Sequence, residues 1–184
     1  MKKVKKFELT NEFITNMFGT KLFRIRALVE FGDVEAGELG GYVEKESNLG
    51  HDDNAWVYDN AWVYGDAQVS GDALVYGNAW VYGDAWVYGN AQVSGDARVC
   101  GNGDYAYAHG FGSVNRTTTF FRLKDGGVGV RCGCFYGTLA QFRDKIRETH
   151  GETKKAQEYL MLADLMELRF EEDENEVGNR KYVE

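Results

Sequence analysis

Three histidines are the side chains of this chain best suited to general-base chemistry near neutral pH. His51 and His109 flank a regular repeat that fills residues 55–102, and His150 lies well beyond it. The repeat itself contains no histidine and no inserted loop. His109, in the segment AHGFG, is the candidate base if the chain is an enzyme. The simpler interpretation is a structural or solvent-exposed histidine, and we expect no catalytic residue within the repeat.

Two cysteines offer a second kind of chemistry. Cys132 and Cys134 are two residues apart, so a strand would place both thiols on one face. Zinc sites usually have wider spacing and four ligands, and neither Cys100 nor His109 is obviously near. We interpret the pair as buried thiols that pack as small apolar groups. The glycines are those of turns, without a phosphate-loop or dinucleotide fingerprint, so the sequence predicts neither a metal nor a cofactor.

These residues belong to a chain organised around eight copies of a six-residue unit, Ala-x-Val-x-Gly-Asx in its common form. Ala and Val are two apart, so both point to the same side of a short strand. Gly-Asx then turns a corner, because these residues tolerate positive φ. The pattern predicts a parallel β-helix with three units per coil, in which residues 18 apart stack at about 4.8 Å.

The flanking segments complete three predicted regions. Residues 1–36 form an N-terminal β cap, with a strand in KKFELT and a half-buried strand within 18–31. Residues 37–112 form the β-helix: Gly41/Val43 and Ser47/Leu49 keep its phase, residues 51–54 add two extra residues, and GNGDYAYAHGFG forms a last irregular coil. Residues 113–184 form a small α+β module, with a hairpin that turns at 124–127, two helices and an acidic tail over 171–176.

The second helix, predicted over about 153–170, is apolar on more than one side. We therefore predict that Leu162, Leu165 and Leu168 form a helix interface with a neighbouring chain. The first helix begins with a capping box, in which Thr138 is the N-cap and Gln141 the third helical residue.

The side chains that alternate with Ala and Val point away from the interior of the coil. Many are aromatic, and such a ladder would exceed the apolar patch of an ordinary monomer. Residues 18 apart would stack, as in Trp62 with Trp80, Tyr64 with Tyr82, and Tyr58 with Tyr76. We predict that this face binds protein, either another copy of the chain or a different macromolecule, and packing between neighbouring strands is the remaining alternative. The members of the face are Trp56, Tyr58, Trp62, Tyr64, Tyr76, Trp80, Tyr82, Trp86 and Tyr88.

Charge is unevenly distributed along the chain. Residues 37–102 contain two basic and ten acidic side chains, which equals the net charge of −8 of the whole chain. An acidic β-helix is a poor surface for nucleic acid and a suitable one for a basic partner protein. Asp66 and Asp84 form the only stacked pair of like-charged corners, which could share a cation or simply be solvated. Neither a secretory signal nor a membrane span is expected, and three cysteines fit the cytoplasm.

The run FRIRALVEFGDVEAGELGGYVEKESNL, followed by NAWVY-type units, resembles a family of uncharacterised bacterial and bacteriophage hexapeptide-repeat proteins. Members are often labelled as transferases or phage proteins. The resemblance covers about residues 7–105 and implies a left-handed β-helix and a homotrimer. The segment FFRLKDGGVGVRCGCFYGTLAQF is similar to parts of Gram-positive phage proteins. Many hexapeptide proteins are acyltransferases with a histidine base and a site between subunits.

We therefore predict a mainly β, cytoplasmic, non-catalytic binding protein that forms a homo-oligomer. A trimer is the preferred oligomeric state, and a dimer is the second choice. Its specific form would be a phage-encoded inhibitor that covers the basic surface of a host defence or nucleic-acid enzyme. A hexapeptide-repeat acyltransferase that uses acyl-CoA is the first alternative. A structural or trimerisation module is the second.

Overall fold

The computed structural model of the chain describes residues 5–112 and 114–171. It begins with an antiparallel hairpin of β1 (Phe7–Thr15) and β2 (Lys21–Ala27). Asn16 shapes the turn, because its Oδ1 accepts hydrogen bonds from the backbone N–H groups of Phe18 and Thr20. β2 pairs antiparallel with β3 (Leu39–Val43), so the hairpin extends the first sheet of the repeat region. The two predicted N-terminal strands are thereby confirmed, although β1 is longer than expected.

The repeat region is a three-turn β-solenoid made of eight two-residue strands. In chain order they are β4 (Trp56–Val57), β5 (Trp62–Val63), β6 (Gln68–Val69), β7 (Leu74–Val75), β8 (Trp80–Val81), β9 (Trp86–Val87), β10 (Gln92–Val93) and β11 (Arg98–Val99). Strands three units apart pair in parallel. The first face is β3-β5-β8-β11, the second β6-β9 and the third β4-β7-β10. The predicted stacking of residues 18 apart is confirmed.

The first coil has a different length from the rest. Val43 pairs with Val63, and Leu49 bridges to Val69, so partners here are 20 residues apart. The two extra residues fall in segment 51–54, as predicted. This coil also fits closely: a Cβ added at Gly41 would lie 2.6 Å from the carbonyl oxygen of Ala61.

The inside of the solenoid is a continuous apolar core. The Ala and Val of all eight units are fully buried, from Ala55 to Val99. The N-terminal segment adds Phe7, Ile25 and Val34 to this core, and the C-terminal part adds Tyr105 and Phe121. Both ends of the coil stack are therefore covered by residues from outside the repeat, which protects the terminal strands.

The C-terminal part is a four-stranded antiparallel sheet with two helices. Its strands are β12 (Tyr105–Phe111), β13 (Arg116–Arg122), β14 (Val128–Cys132) and β15 (Phe135–Thr138). The hairpin β13-β14 was predicted, but the assignment of GNGDYAYAHGFG to a last irregular coil is wrong. This segment pairs antiparallel with β13, with Tyr105 opposite Phe121 and Tyr107 opposite Thr119. The segment therefore forms the strand β12.

The helices α1 (Leu139–His150) and α2 (Lys154–Phe170) pack on one face of this sheet. The capping box is confirmed: the Thr138 hydroxyl accepts from the backbone N–H of Gln141, and the Gln141 side chain accepts from the N–H of Thr138. Strand alternation divides the two cores, since Phe120 faces the helices and Phe121 faces the solenoid. Apart from Glu171, the predicted acidic tail lies outside the described residues.

Candidate binding surface

The outer side chains of the first face form an aromatic stack. The rings of Trp62 and Trp80 lie 4.5 Å apart and almost parallel, at 4°. The guanidinium of Arg98 lies 3.9 Å from the Trp80 ring and donates to the carbonyl oxygens of Asn78 and Ala97. The predicted stack is confirmed, and because the rings cover one another, both indoles are only half-exposed.

A second stack on the same face joins Tyr64 and Tyr82, whose rings are 5.2 Å apart at 7°. Burial raises the pKa of Tyr64 to about 12, with a further contribution from Tyr82 and an opposing one from Arg98. The Tyr64 phenol therefore stays neutral at physiological pH. These stacked rings offer their edges, and few of their faces, to a ligand.

Trp56 is a correction to the predicted outer face. It follows the same rule of alternation, yet it is fully buried. Its ring packs edge-on against Phe7 and Phe31, at centroid distances of 6.2 Å and 5.3 Å. The N-terminal segment folds over this side of the first coil, so Trp56 is a core residue and cannot contact a partner.

Tyr58 and Tyr76 share a column of the third face, but the predicted stacking of their rings does not occur. Burial raises the pKa of Tyr58, and the acidic residues Glu38 and Asp33 of the N-terminal region add to the effect. The Tyr76 ring instead lies under the guanidinium of Arg131 from β14, at 5.3 Å. Among the described aromatic side chains, no ring contact joins the two tyrosines.

The second face carries the two most exposed rings of the predicted set. Trp86 is 52% exposed and Tyr88 is 49% exposed, with ring centroids 5.6 Å apart. The indole N–H of Trp86 donates to the Ser70 hydroxyl at 3.1 Å, and the Tyr105 hydroxyl donates to the Trp86 carbonyl oxygen at 2.6 Å. The first bond fixes the orientation of an exposed indole, and the second ties the backbone of Trp86 to the C-terminal sheet.

These two rings line a groove of about 420 Å³ at the junction with the C-terminal sheet. Tyr107 stands edge-on to Tyr88 at 6.2 Å, and Arg169 of α2 closes the other end by donating to the Asn102 carbonyl oxygen at 3.4 Å. We call this surface the Trp86–Tyr88 patch; it consists of Trp86, Tyr88, Asn102, Tyr105, Ala106, Tyr107 and Arg169.

Carboxylates lie at the corners of the coils next to the strands of the second face. Asp66 and Asp84 precede strands β6 and β9, Asp72 follows β6, and all three are exposed. Lys45 lies 3.0 Å from Asp66 and supplies a cation to the predicted acidic pair. Within the described residues, no group of three His, Cys, Asp or Glu side chains is placed to hold a metal ion.

The three histidines lie in different parts of the molecule. The His51 ring stacks on Phe7 at 4.4 Å, and the His150 ring stacks on Tyr159 at 5.9 Å. His109 is exposed on β12, where its Nδ1 lies 2.8 Å from the Thr117 hydroxyl. The fold therefore does not bring these histidines together.

The cysteine pair needs a partial correction. Cys132 ends β14, is half-buried and accepts a hydrogen bond from the Thr118 hydroxyl at 3.2 Å. Cys134 is exposed rather than buried, because the strand ends at Cys132 and Gly133 turns the chain with a φ of 57°. The two thiols therefore do not share a strand face.

The predicted helix interface divides into two parts. Leu162 is half-buried and packs against the core between the sheet and the helices. Leu165 and Leu168 are 54% and 68% exposed, and with Met161 at 71% they form one stripe along α2. Sequence reasoning missed Met161, although its spacing from Leu165 and Leu168 was a signal that could have found it.

Two comparisons with known proteins bear on this architecture. The family model described as YdcK Beta solenoid repeat matches residues 67–83 and 91–103, which fall in the later part of the repeat region. No curated protein shows a match to the chain. The family match agrees with the three-turn β-solenoid and does not extend to the C-terminal sheet and helices. Within the described part of the chain, every helix is too short or too polar to span a membrane.

Proposed function

We propose that this β-solenoid is a non-catalytic binding protein that contacts a basic partner protein through the Trp86–Tyr88 patch. The observation that carries the proposal is the exposure of Trp86 and Tyr88, since most other outer rings are buried or stacked. Large aromatic side chains in fixed orientations are the usual anchors of protein interfaces.

Charge supports the choice of a basic partner. Residues 37–102 contain ten acidic and two basic side chains, and the exposed Asp66, Asp72 and Asp84 lie at the corners before and after the strands of the second face. Lys45 is paired with Asp66, and Arg169 lies at the far end of the groove, so a partner's cations would meet Asp72 and Asp84. Such attraction accelerates association and weakens with salt.

In its specific form, the proposal is a cytoplasmic, phage-encoded inhibitor with a left-handed, hexapeptide-repeat solenoid. It would cover the basic surface with which a host defence or nucleic-acid enzyme holds its substrate. The supports are the acidic coils, the exposed anchor rings and the sequence resemblance to bacteriophage proteins.

The test is affinity capture from host lysate at low and high salt, with the wild type and a Trp86→Ser/Tyr88→Ser variant. We expect the wild type to retain a basic protein at low salt, and the double variant to bind it at least about tenfold more weakly. Phe18→Ser is the matched control, because Phe18 is an exposed ring, 55% accessible, in the N-terminal turn. If the amount of captured protein is the same at low and high salt and the same for the wild type and the double variant, the role of the patch is disproved.

A second candidate function is self-association through α2. A trimer is the preferred oligomeric state, and a dimer is the second choice. The stripe of Met161, Leu165 and Leu168 favours it, because three large apolar side chains on one helix face are exposed. Light scattering should show an oligomer for the wild type and a monomer for Leu165→Glu/Leu168→Glu. Gln157→Glu, an exposed change on the same helix, should keep the wild-type mass. A monomeric wild type would exclude this function.

A further inference from the structure

We propose that a groove on the third face of the solenoid binds a small ligand in which a carboxylate or phosphate group is attached to a planar ring. Arg131 and Gln92 would hold the anionic group, and Tyr58 and Tyr76 would contact the ring. This site lies on a different face from the Trp86–Tyr88 patch and does not depend on the proposed protein partner.

Arg131 is the central observation. Alternation along β14 directs Val130 into the helix core and Arg131 towards the solenoid, where its guanidinium lies 5.3 Å from the Tyr76 ring. The residue is half-buried, and its Nε is buried without a hydrogen-bond partner. Among the described residues, no acceptor or carboxylate pairs with this guanidinium. A buried donor left without an acceptor is costly and is uncommon in native proteins.

Each of the other arginines that lie over aromatic rings has at least one hydrogen-bond acceptor, although the Nε of Arg24 is also buried without one. Arg24, over Tyr42, donates to the Tyr42 hydroxyl and to a carboxylate. Arg98, over Trp80, donates to two backbone carbonyl oxygens. Arg122, over a phenylalanine ring, pairs with a buried aspartate. Stacking on a ring therefore does not by itself deprive an arginine of acceptors in this fold, and Arg131 stands apart.

The guanidinium lines a groove of about 430 Å³, within the usual size range for small-molecule sites. Leu74 contributes an apolar side chain to its lining. The Gln92 side-chain oxygen accepts from the Tyr76 hydroxyl at 3.4 Å, which leaves the amide NH₂ as a donor. Burial raises the pKa of both Tyr58 and Tyr76, so each phenol remains a neutral hydroxyl.

These groups specify the ligand class. The planar guanidinium fork matches two oxygens of a carboxylate or phosphate, and the Gln92 amide can donate to the same group. Tyr58 and Tyr76 belong to one column without touching, so a ring can contact either phenol ring. Asp59 also lines the groove, with its carboxylate accepting from the Gly77 N–H at 3.1 Å, and disfavours ligands with further negative charges.

The experiment is a titration followed by the Arg131 Nε–H signal in ¹H–¹⁵N spectra of the whole chain. Indole-3-acetate is the carboxylate probe and a nucleoside 5′-monophosphate is the phosphate probe. We expect at least one of them to shift the Arg131 signal in a saturable way, and the tighter of the two identifies the anionic group. Tryptophol and the free nucleoside, which lack the anion, should bind at least about tenfold more weakly.

Arg131→Gln removes the Arg131 signal, so its titration is followed by the side-chain amide signal of Gln92, and binding of the responding probe should weaken at least about tenfold. Arg98→Gln is the matched control, because Arg98 is stacked on a ring but already satisfied, and it should bind as the wild type does. If Arg131→Gln folds poorly, Gln92→Ala tests the site independently, because it too should weaken probe binding. Trp86→Ser/Tyr88→Ser should bind the probe as the wild type does. The inference is overturned if neither probe shifts the signal at about 10 mM, or if Arg98→Gln weakens binding as much as Arg131→Gln.

Discussion

The glycines at the corners of the coils shape this fold because they have no Cβ atom. Gly83 has a φ of 64°, and a Cβ added there would collide with the backbone carbonyl oxygen of Cys100, in the next coil. Gly89 and Gly95 end the other two corner columns, and the rings of Tyr107 and Tyr136 from the C-terminal sheet lie over them. The glycines thus allow both the stacking of coils and the docking of the sheet.

We expect Gly83→Ala to lower the free energy of unfolding by at least about 2–3 kcal/mol, since it adds a backbone collision to the strain of positive φ. Gly126→Ala isolates the strain, because Gly126 has a φ of 84° and open space around it. That control should lose only about 1–2 kcal/mol. Urea unfolding measures the loss in free energy of unfolding for each variant. Equal losses for Gly83→Ala and Gly126→Ala would contradict the role of the close contact between coils.

Lys6 is a buried cation at the start of the solenoid. Its Nζ donates to the carbonyl oxygens of Asp53 and Ala55, both at 2.8 Å, and lies over the Phe31 ring at 4.6 Å. Burial lowers the pKa of Lys6 to about 8, against opposing contributions from the nearby carboxylates of Asp53 and Asp52. The ammonium therefore begins to lose its proton far below the pH at which an exposed lysine does.

This lowered pKa predicts how stability depends on pH. Between pH 8 and the ordinary lysine pKa of 10.5, the unfolded chain holds the Lys6 proton and the folded chain releases it. The free energy of unfolding of the wild type should therefore rise with pH in this window, relative to Lys6→Met. Urea unfolding of both proteins at about pH 7 and about pH 9.5 tests this. A difference between them that is the same at both pH values would show that Lys6 titrates normally.

At the scale of the elements, side chains at equivalent positions of the repeat differ in their exposure to solvent. Trp56, Trp62 and Trp86 each stand between an inward Ala and an inward Val. Trp56 is buried under the N-terminal segment, Trp62 is stacked, and Trp86 is exposed beside the C-terminal sheet. The strand fixes the direction of each side chain, and the neighbouring element decides whether solvent reaches it.

A pair of identical substitutions tests this difference. Trp56→Ala should lower the free energy of unfolding by about 3–5 kcal/mol, because it opens a cavity in the core. Trp86→Ala should lower it by about 1 kcal/mol or less, because the exposed indole leaves no cavity. Chemical denaturation of the two variants compares them directly. Equal effects would mean that the N-terminal segment does not cover the first coil as described.

At the scale of the whole molecule, one buried ion pair connects the solenoid, the sheet and the helices. Asp104 and Arg122 lie 3.4 Å apart with side chains only 6% and 8% exposed. Asp104 also accepts from the backbone N–H groups of Cys100 and Gly101. Arg122 also donates to the carbonyl oxygen of Phe170, at the end of α2. The pair lies where the last coil meets the C-terminal part.

Asp104→Ala should destabilise the protein by about 3–5 kcal/mol, because it leaves a buried guanidinium without its carboxylate. It should also separate the unfolding of the C-terminal sheet and helices from that of the solenoid, visible as two transitions in calorimetry. Asp144→Ala, which removes a carboxylate that is 82% exposed, should change stability by about 0.5 kcal/mol or less. A single unshifted transition for Asp104→Ala would refute the connecting role.

Most of the coil architecture was predictable because its signals are local and repeated. The 18-residue pairing, the two extra residues at 51–54 and the Thr138 capping box follow from short-range rules of alternation and hydrogen bonding. The strand β12 was missed, because its partner β13 had to be known before YAYA could be distinguished from another coil. Cys134 was misplaced for a similar reason, since the end of β14 is set by the turn that follows it.

By itself, the sequence determined the interior of this protein. Each of the eight repeat units places the same Ala and Val inward, so a repeated local rule is sufficient to specify the solenoid. Only the tertiary structure decided which outer side chains are available, and it brought Arg131 over Tyr76 from a distant strand. The physical reason is that burial, stacking and unpaired charge depend on segments far away in the chain, whereas strand direction depends on neighbours. The surfaces proposed to bind ligands belong to this second class.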